Sequence, residues 1–121
     1  MSCRLSFMQR TSLDALARQQ LELAATHGGR AADTVVGGHE RVLRQTVIAL
    51  IEGTEMGEHE NPGEATVHVL RGRVRLSCGD DSWEGSKGDL IEVPPARHTV
   101  RALEDSAILL TVAKLPSPQV T

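Results

Sequence analysis

GTEMGEHENPGEATVHVLRG, residues 53–72, decides how the rest of this 121-residue chain is read. Glycines at 53, 57 and 72 and the Asn61-Pro62-Gly63 triplet punctuate the stretch. Between the last two glycines the side chains alternate, with Ala65, Val67 and Val69 on one face and Thr66, His68 and Leu70 on the other. A period of two is the mark of a strand, because successive side chains leave opposite faces of the backbone. Counted back through an extended segment, His59 and Asn61 share the face of Ala65, and Glu60 and Glu64 take the opposite one.

Downstream, short runs rich in Val, Ile, Leu and Thr follow one another between turn clusters such as Gly79-Asp80-Asp81, Gly85-Ser86-Lys87-Gly88 and Pro94-Pro95-Ala96-Arg97. Strands are predicted at 41–51, 65–71, 73–78, 82–84, 89–93, 98–103 and 106–113. So many strands with no helix between them point to an antiparallel sandwich or barrel. Upstream, Leu13, Leu16, Ala17, Leu21 and Ala24 recur at helical spacing, and Thr11 with Asp14 reads as a capping box. One amphipathic helix over 12–27 is predicted, its apolar stripe packing on the outside of the domain or on a second copy, with GGRAAD behind it as a linker. The organisation expected is an N-terminal helix and linker at 1–36, a barrel at 37–115 and a frayed tail at 116–121.

Composition narrows the function classes. A net charge of -3 with only Trp83 and Phe7 as aromatics leaves neither a basic excess for phosphates nor a stacking platform, so nucleic acid is not expected as a partner. No apolar run reaches the roughly 18 to 20 residues a membrane helix needs, and the start of the chain lacks a signal-peptide core, so a cytoplasmic protein is expected. Cys3 and Cys78 do not make a disulfide framework and read as bystanders.

The stretch at 53–72 resembles the first signature of the cupins, a Gly, His, His, Glu, Gly pattern in which Gly53, His59 and Gly72 match while Asn61 and Ala65 stand at the other two ligand positions. Gly88 to His98 resembles the second signature: Gly88, Asp89 and Pro94 match, Ala96 replaces a glycine, and His98 arrives one residue early. The likeness covers about residues 41–113 and extends to a set of small stand-alone bacterial cupins. It implies an all-β double-stranded β-helix, the cupin jelly-roll barrel, with the one N-terminal α-helix added in front.

The same resemblance implies a metal position. His59 and His98 would supply imidazoles from different strands to one divalent ion, Zn, Fe, Ni, Mn or Cu, if the site is filled at all. The alternative for His59 is a pocket histidine with ordinary hydrogen bonds. His98 is placed inward on the premise that a shorter turn after Pro94-Pro95 absorbs its early arrival. Asn61 either lines the ligand pocket or opens the Asn-Pro-Gly turn. Ala65 has no donor where the family carries its glutamate, and Glu64 replaces that carboxylate only if the loop departs from strict alternation. His68 points away by parity, and becomes a third imidazole only if the loop shifts the register by one. Gln45 is a further candidate for the ligand pocket, and His39 is read as a surface residue. Arg71, Arg73 and Arg75 read as a solvated face, with an anion-binding patch as the sharper alternative.

The function these observations imply is small-molecule binding in the barrel, around a degenerate divalent-metal site or without one. A metal-dependent oxygenase or isomerase and a non-catalytic dimeric scaffold are the other readings, so whether the chain is an enzyme stays open. Unpaired sheet edges and the helix stripe also lead to an expected homodimer.

Overall fold

The computed structural model describes residues 9–59 and 63–114. Among these residues the order is α1 (Leu13–Thr26), β1 (Arg30–Val36), β2 (Leu43–Leu50), β3 (Glu55–His59), β4 (Gly63–Arg71), β5 (Arg73–Cys78), β6 (Asp81–Ser86), β7 (Leu90–Glu92), β8 (His98–Ala102) and β9 (Ser106–Lys114). The strands form a five-stranded sheet ordered β1-β2-β9-β4-β7 and a four-stranded sheet ordered β3-β8-β5-β6. Every pairing between them is antiparallel. This is the all-β double-stranded β-helix with one helix in front.

Alternation in the sequence sets which side of each strand is dry. Ala65, Val67 and Val69 of β4 and Val74 and Leu76 of β5 are buried between the sheets, where they meet Ile48, Leu50, Val100, Ile108 and Val112. That core cluster is aliphatic throughout, and each fully buried Val, Leu or Ile in it contributes about 1.5–3 kcal/mol relative to exposure. Gly85 faces this core from the edge strand β6. A Cβ there would press on Ile91 and Val69, so the glycine lets β6 close against the edge of the other sheet.

Two strands break the alternation, and the helix explains both. Val47-Ile48-Ala49-Leu50 in β2 and Ala107-Ile108-Leu109 in β9 are buried on both faces. Their outward members, Val47, Ala49, Ala107 and Leu109, lie outside the inner core cluster and under α1, which crosses β1 and β2 and reaches β9 and β4. Buried alanines on both partners, Ala17 and Ala24 on the helix and Ala49 and Ala107 on the sheet, permit close approach of helix to sheet. Arg71 at the end of β4 donates to Asp14 in the first turn of α1 at 3.0 Å, tying the helix to the sheet. The stripe therefore packs on its own domain.

Three local expectations are corrected. The helix cap is Ser12 and not Thr11: Ser12 has extended backbone angles and its Oγ accepts the Ala15 N–H at 3.2 Å. The supposed linker after Gly28-Gly29 continues as β1, an edge strand that among the described residues pairs only with β2 and is largely exposed, so RAADTVV carries no clean apolar period. Likewise Glu55–His59, part of which reads as glycine-rich punctuation, forms β3 at the edge of the smaller sheet. Edge strands bury one side or less, which removes the pattern that makes a strand legible. Asn61 and the tail at 116–121 lie outside the described residues.

Candidate functional site

The end of the barrel where β3 runs into the Asn-Pro-Gly loop gathers the chemically capable residues. In the four-stranded sheet, His59 of β3 stands opposite His98 of β8 in the register. His98 is 2% exposed and alternates with the buried Val100 and Ala102, so its ring lies on the inner wall. The bend at Pro95-Ala96 takes up the missing residue of the motif, and the parity of β8 is kept.

A backbone contact orients this ring. His98 Nδ1 is 3.0 Å from the carbonyl oxygen of Ala96. A carbonyl oxygen only accepts, so Nδ1 carries the proton and, in the neutral ring, Nε2 carries the lone pair. Metal-ligating histidines are held in this way, with one ring nitrogen donating to a carbonyl so that the other is set as the donor atom to the metal.

The neighbours on the inner wall are Ala65 and two residues that the sequence reading passed over. Ala65 is buried on β4, its carbonyl accepting from the Val93 N–H at 3.0 Å, and it supplies no side-chain donor. Cys78 ends β5 in alternation with the buried Val74 and Leu76, which puts it on the inner face and, extending the β5–β8 register by one pair, beside His98. Trp83 of β6 is paired with Leu76 and shares its inner face, yet remains 44% exposed at the margin of the sheet. The period-two pattern Val74, Leu76, Cys78 was the available signal for the cysteine. For Trp83 the signal was pairing across the Gly79-Asp80 turn, which a single strand does not display.

Other candidates lie elsewhere. Register on both sides of β4 matches His68 to Leu109 and to Leu90, so the loop leaves the parity unshifted and His68 sits half-buried on the outer face of the five-stranded sheet. Glu64 is exposed on that same outer face, away from His98. Gln45 is there too, its Nε2 donating to Thr111 Oγ1 at 3.1 Å, outside the barrel. His39 is exposed in a shallow depression of about 230 Å³ with Arg44 and Lys114. Among the described residues no cluster of three or more His, Cys, Asp or Glu side chains is placed to hold a metal.

Arg73 and Arg75 line the outer face of the smaller sheet, in ion pairs with Glu104 at 3.9 Å and Glu84 at 2.9 Å. Arg101 and Glu55 make a further pair at 3.8 Å. The hydrogen bond from Arg75 holds the Glu84 carboxyl below its ordinary range, despite some opposing desolvation. Cations already matched to carboxylates across neighbouring strands make a solvated, charge-paired face.

A jelly-roll barrel with an oriented histidine on its inner wall, fed by signature glycines at 53, 72 and 88, defines a class of small β-barrel proteins whose sites lie at the barrel mouth. The chain belongs to the cupin family: the model of the family's cupin domain matches residues 46–113. Among solved structures it is similar to a conserved protein of unknown function from Streptococcus pyogenes, at 28% identity and a TM-score of 0.67 over 75% of this chain and 79% of that one. A cupin superfamily protein from Desulfitobacterium hafniense is 15% identical, with a TM-score of 0.65 over 71% and 78% of the two chains. A salicylate 1,2-dioxygenase mutant from Pseudoaminobacter salicylatoxidans is 21% identical, with a TM-score of 0.68, and the match covers 93% of this chain but 39% of the enzyme. The last two likenesses show the fold alone. Among curated proteins none matches.

Proposed function

We propose that this cupin is a binding module for a small molecule, held at the His98 end of the barrel, with a divalent ion on His59 and His98 as the anchor of the site. The supporting observation is the Ala96 carbonyl on His98 Nδ1, which sets Nε2 as the lone-pair nitrogen on an inner wall it shares with an aliphatic core cluster. Two imidazoles, with an alanine where a carboxylate would complete the set, fit an ion that leaves most of its coordination sphere to ligand and water. Such an ion, when bound, supplies Lewis acidity and polarises an oxygen of the ligand. The Ala96 carbonyl orients the His98 ring, and the aliphatic core cluster keeps one side of the site dry. A cytoplasmic location goes with this reading and is checked by cell fractionation.

Elemental analysis of protein purified without affinity nickel tests the metal, with His59→Ala and His98→Ala as controls. Stoichiometric metal lost in both variants supports the anchor. A metal-dependent oxygenase or isomerase is the competing reading, and turnover that disappears with the metal would favour it. For the ligand, a thermal-shift screen is read out alongside fluorescence of Trp83, the one tryptophan of the chain. A ligand at 100 times its Kd adds about 2.7 kcal/mol, a rise of about 10 °C in Tm for a domain of this size. Silence across acidic, neutral and aromatic small molecules, with and without metal, would sink the binding module.

A further inference from the structure

The mouth of the barrel carries a basic rim as well as its two histidine positions. Register puts Arg44 of β2 opposite Val112 of β9, and Val112 opposite Ala65 of β4. Val112 and Ala65 belong to the inner core cluster, so this row faces inward and Arg44 extends it along the barrel side of β2. Alternation along β9 gives Lys114 the same side as Val112, and Thr34 of β1, opposite Thr46, shares it. Lys114 pairs with Gly63, the first residue of β4, and β4 follows β3, which ends at His59. The rim and the histidine row of the smaller sheet therefore lie at the same end of the barrel.

Arg44, Lys114, His39 and Thr34 line a depression of about 230 Å³, with Gly37 and Gly38 beside them. Gly37 lets the end of β1 close over the arginine: its φ is +128°, and a Cβ there would lie 3.1 Å from Arg44 Cα and Cγ. Lys114 Nζ donates to the Gly38 carbonyl at 2.9 Å, which fixes the ammonium at the rim and leaves it further N–H donors. Thr34 Oγ1 is 2.9 Å from Thr46 Oγ1, and one hydroxyl proton of that pair stays available to an acceptor. Arginines elsewhere on the sheets are matched, Arg71 to Asp14, Arg73 to Glu104, Arg75 to Glu84 and Arg101 to Glu55. Among the described residues Arg44 and Lys114 are in no ion pair. Asp33 and Glu64 take the outer face by register, and the exposed Glu40 pairs with neither cation.

We propose that this rim seats the carboxylate of a small organic acid, with Arg44 and Lys114 as its charge partners and the body of the acid reaching toward His98. The inference rests on the binding module proposed above and names the class of its ligand. A guanidinium offers paired N–H donors that match the two oxygens of a carboxylate, and an ammonium adds a compact charge. Strands spaced about 4.8 Å apart and sheets about 10 Å apart put the rim and the His98 wall within the span of one small molecule. Charge balance favours an acid over a neutral ligand. Ala65 supplies no carboxylate to a divalent ion at the histidines, and the rim adds two cations on the facing sheet. An anion between these positive groups lowers the energy of both.

Calorimetric titration of the 121-residue protein, with zinc and without, reads the outcome for small organic acids from lactate to benzoate, each paired with its neutral amide. Acids should bind more tightly than their amides. Arg44→Gln and Lys114→Gln should each weaken the acids by about tenfold to a hundredfold, the range of a charge-assisted hydrogen bond, and leave the amides unchanged. Arg30→Gln, at the far end of β1 opposite Leu50, should change neither. Both rim side chains project from the end of the sheet, so the ligand-free melts of their variants should match wild type. His98→Ala should weaken acids and amides alike. Amides that bind as tightly as acids, or acids indifferent to Arg44→Gln, would overturn the acid seat and leave the binding module standing. Inorganic phosphate binding as tightly as the best acid would overturn it as well. Silence from every acid and every amide would overturn both.

Discussion

His98 illustrates how little of a site one residue can carry and how firmly it can carry it. Its ring is buried, its Nδ1 is committed to the Ala96 carbonyl, and nothing about Ala65 completes a metal set. Replacing His98 by Ala should cost about 1–3 kcal/mol in denaturant unfolding and abolish metal uptake by elemental analysis. Restoring the absent carboxylate is the converse experiment. Ala65→Glu buries a charge at a 6% exposed position, so the metal-free protein should lose several kcal/mol, and zinc should return that stability in thermal melts. Equal melts with and without zinc would argue against His59 and His98 as neighbours of position 65. Gly72 is a purely conformational case: its φ is +76° and a Cβ would run into the Asp105 carbonyl and Ser106, so Gly72→Ala should destabilise by about 2–4 kcal/mol. The inward parity of His98 was legible by counting back from Val100 and Ala102. The tautomer was not, because it depends on a carbonyl brought under the ring by the Pro95-Ala96 bend.

At the scale of elements, the tie between α1 and β4 is electrostatic and has a pH signature. The hydrogen bond from Arg71, with its charge and that of Arg18 and Lys87, holds the Asp14 carboxyl below the ordinary aspartate range, against a smaller opposing desolvation. A carboxylate with a depressed folded-state pKa stabilises the fold fully above its unfolded value, and that contribution disappears as pH falls through the depressed one. The Tm of wild type should therefore exceed that of Arg71→Met near neutrality, and the two melting curves should converge as the pH drops below the aspartate range. A gap that persists in acid would mean that Arg71 acts through packing of its aliphatic stem. The helix itself was legible from its 3.6-residue stripe. Its docking partner was signalled only indirectly, by the unbroken apolar runs Val47 to Leu50 and Ala107 to Leu110, which a strand wet on one face would not need. The edge strands β1 and β3 gave no such signal.

The whole molecule is a sandwich with a third layer over half of one sheet. Removing residues 1–28 should bare Val47, Ala49, Ala107 and Leu109, and the truncated chain is expected to bind the dye ANS and to aggregate at concentrations where the intact protein does not. A truncated chain that stays dispersed and dye-silent would mean that the barrel closes this face by itself. The helix also determines what stays open on this sheet, since only the uncovered half presents Leu43, Leu90 and the cavity between them.

The sequence by itself determined the fold class and the parity of β4 and β5, which follow from local rules: side-chain alternation and turn chemistry are properties of short stretches. Its resemblance to the cupin signatures pointed to the family. Only the tertiary structure decided that Gln45 looks away from the barrel, that Cys78 and Trp83 join the inner wall, and that α1 leaves half a sheet uncovered. Those outcomes depend on which strands pair and in what register, and pairing is a non-local choice set by the burial of both faces at once.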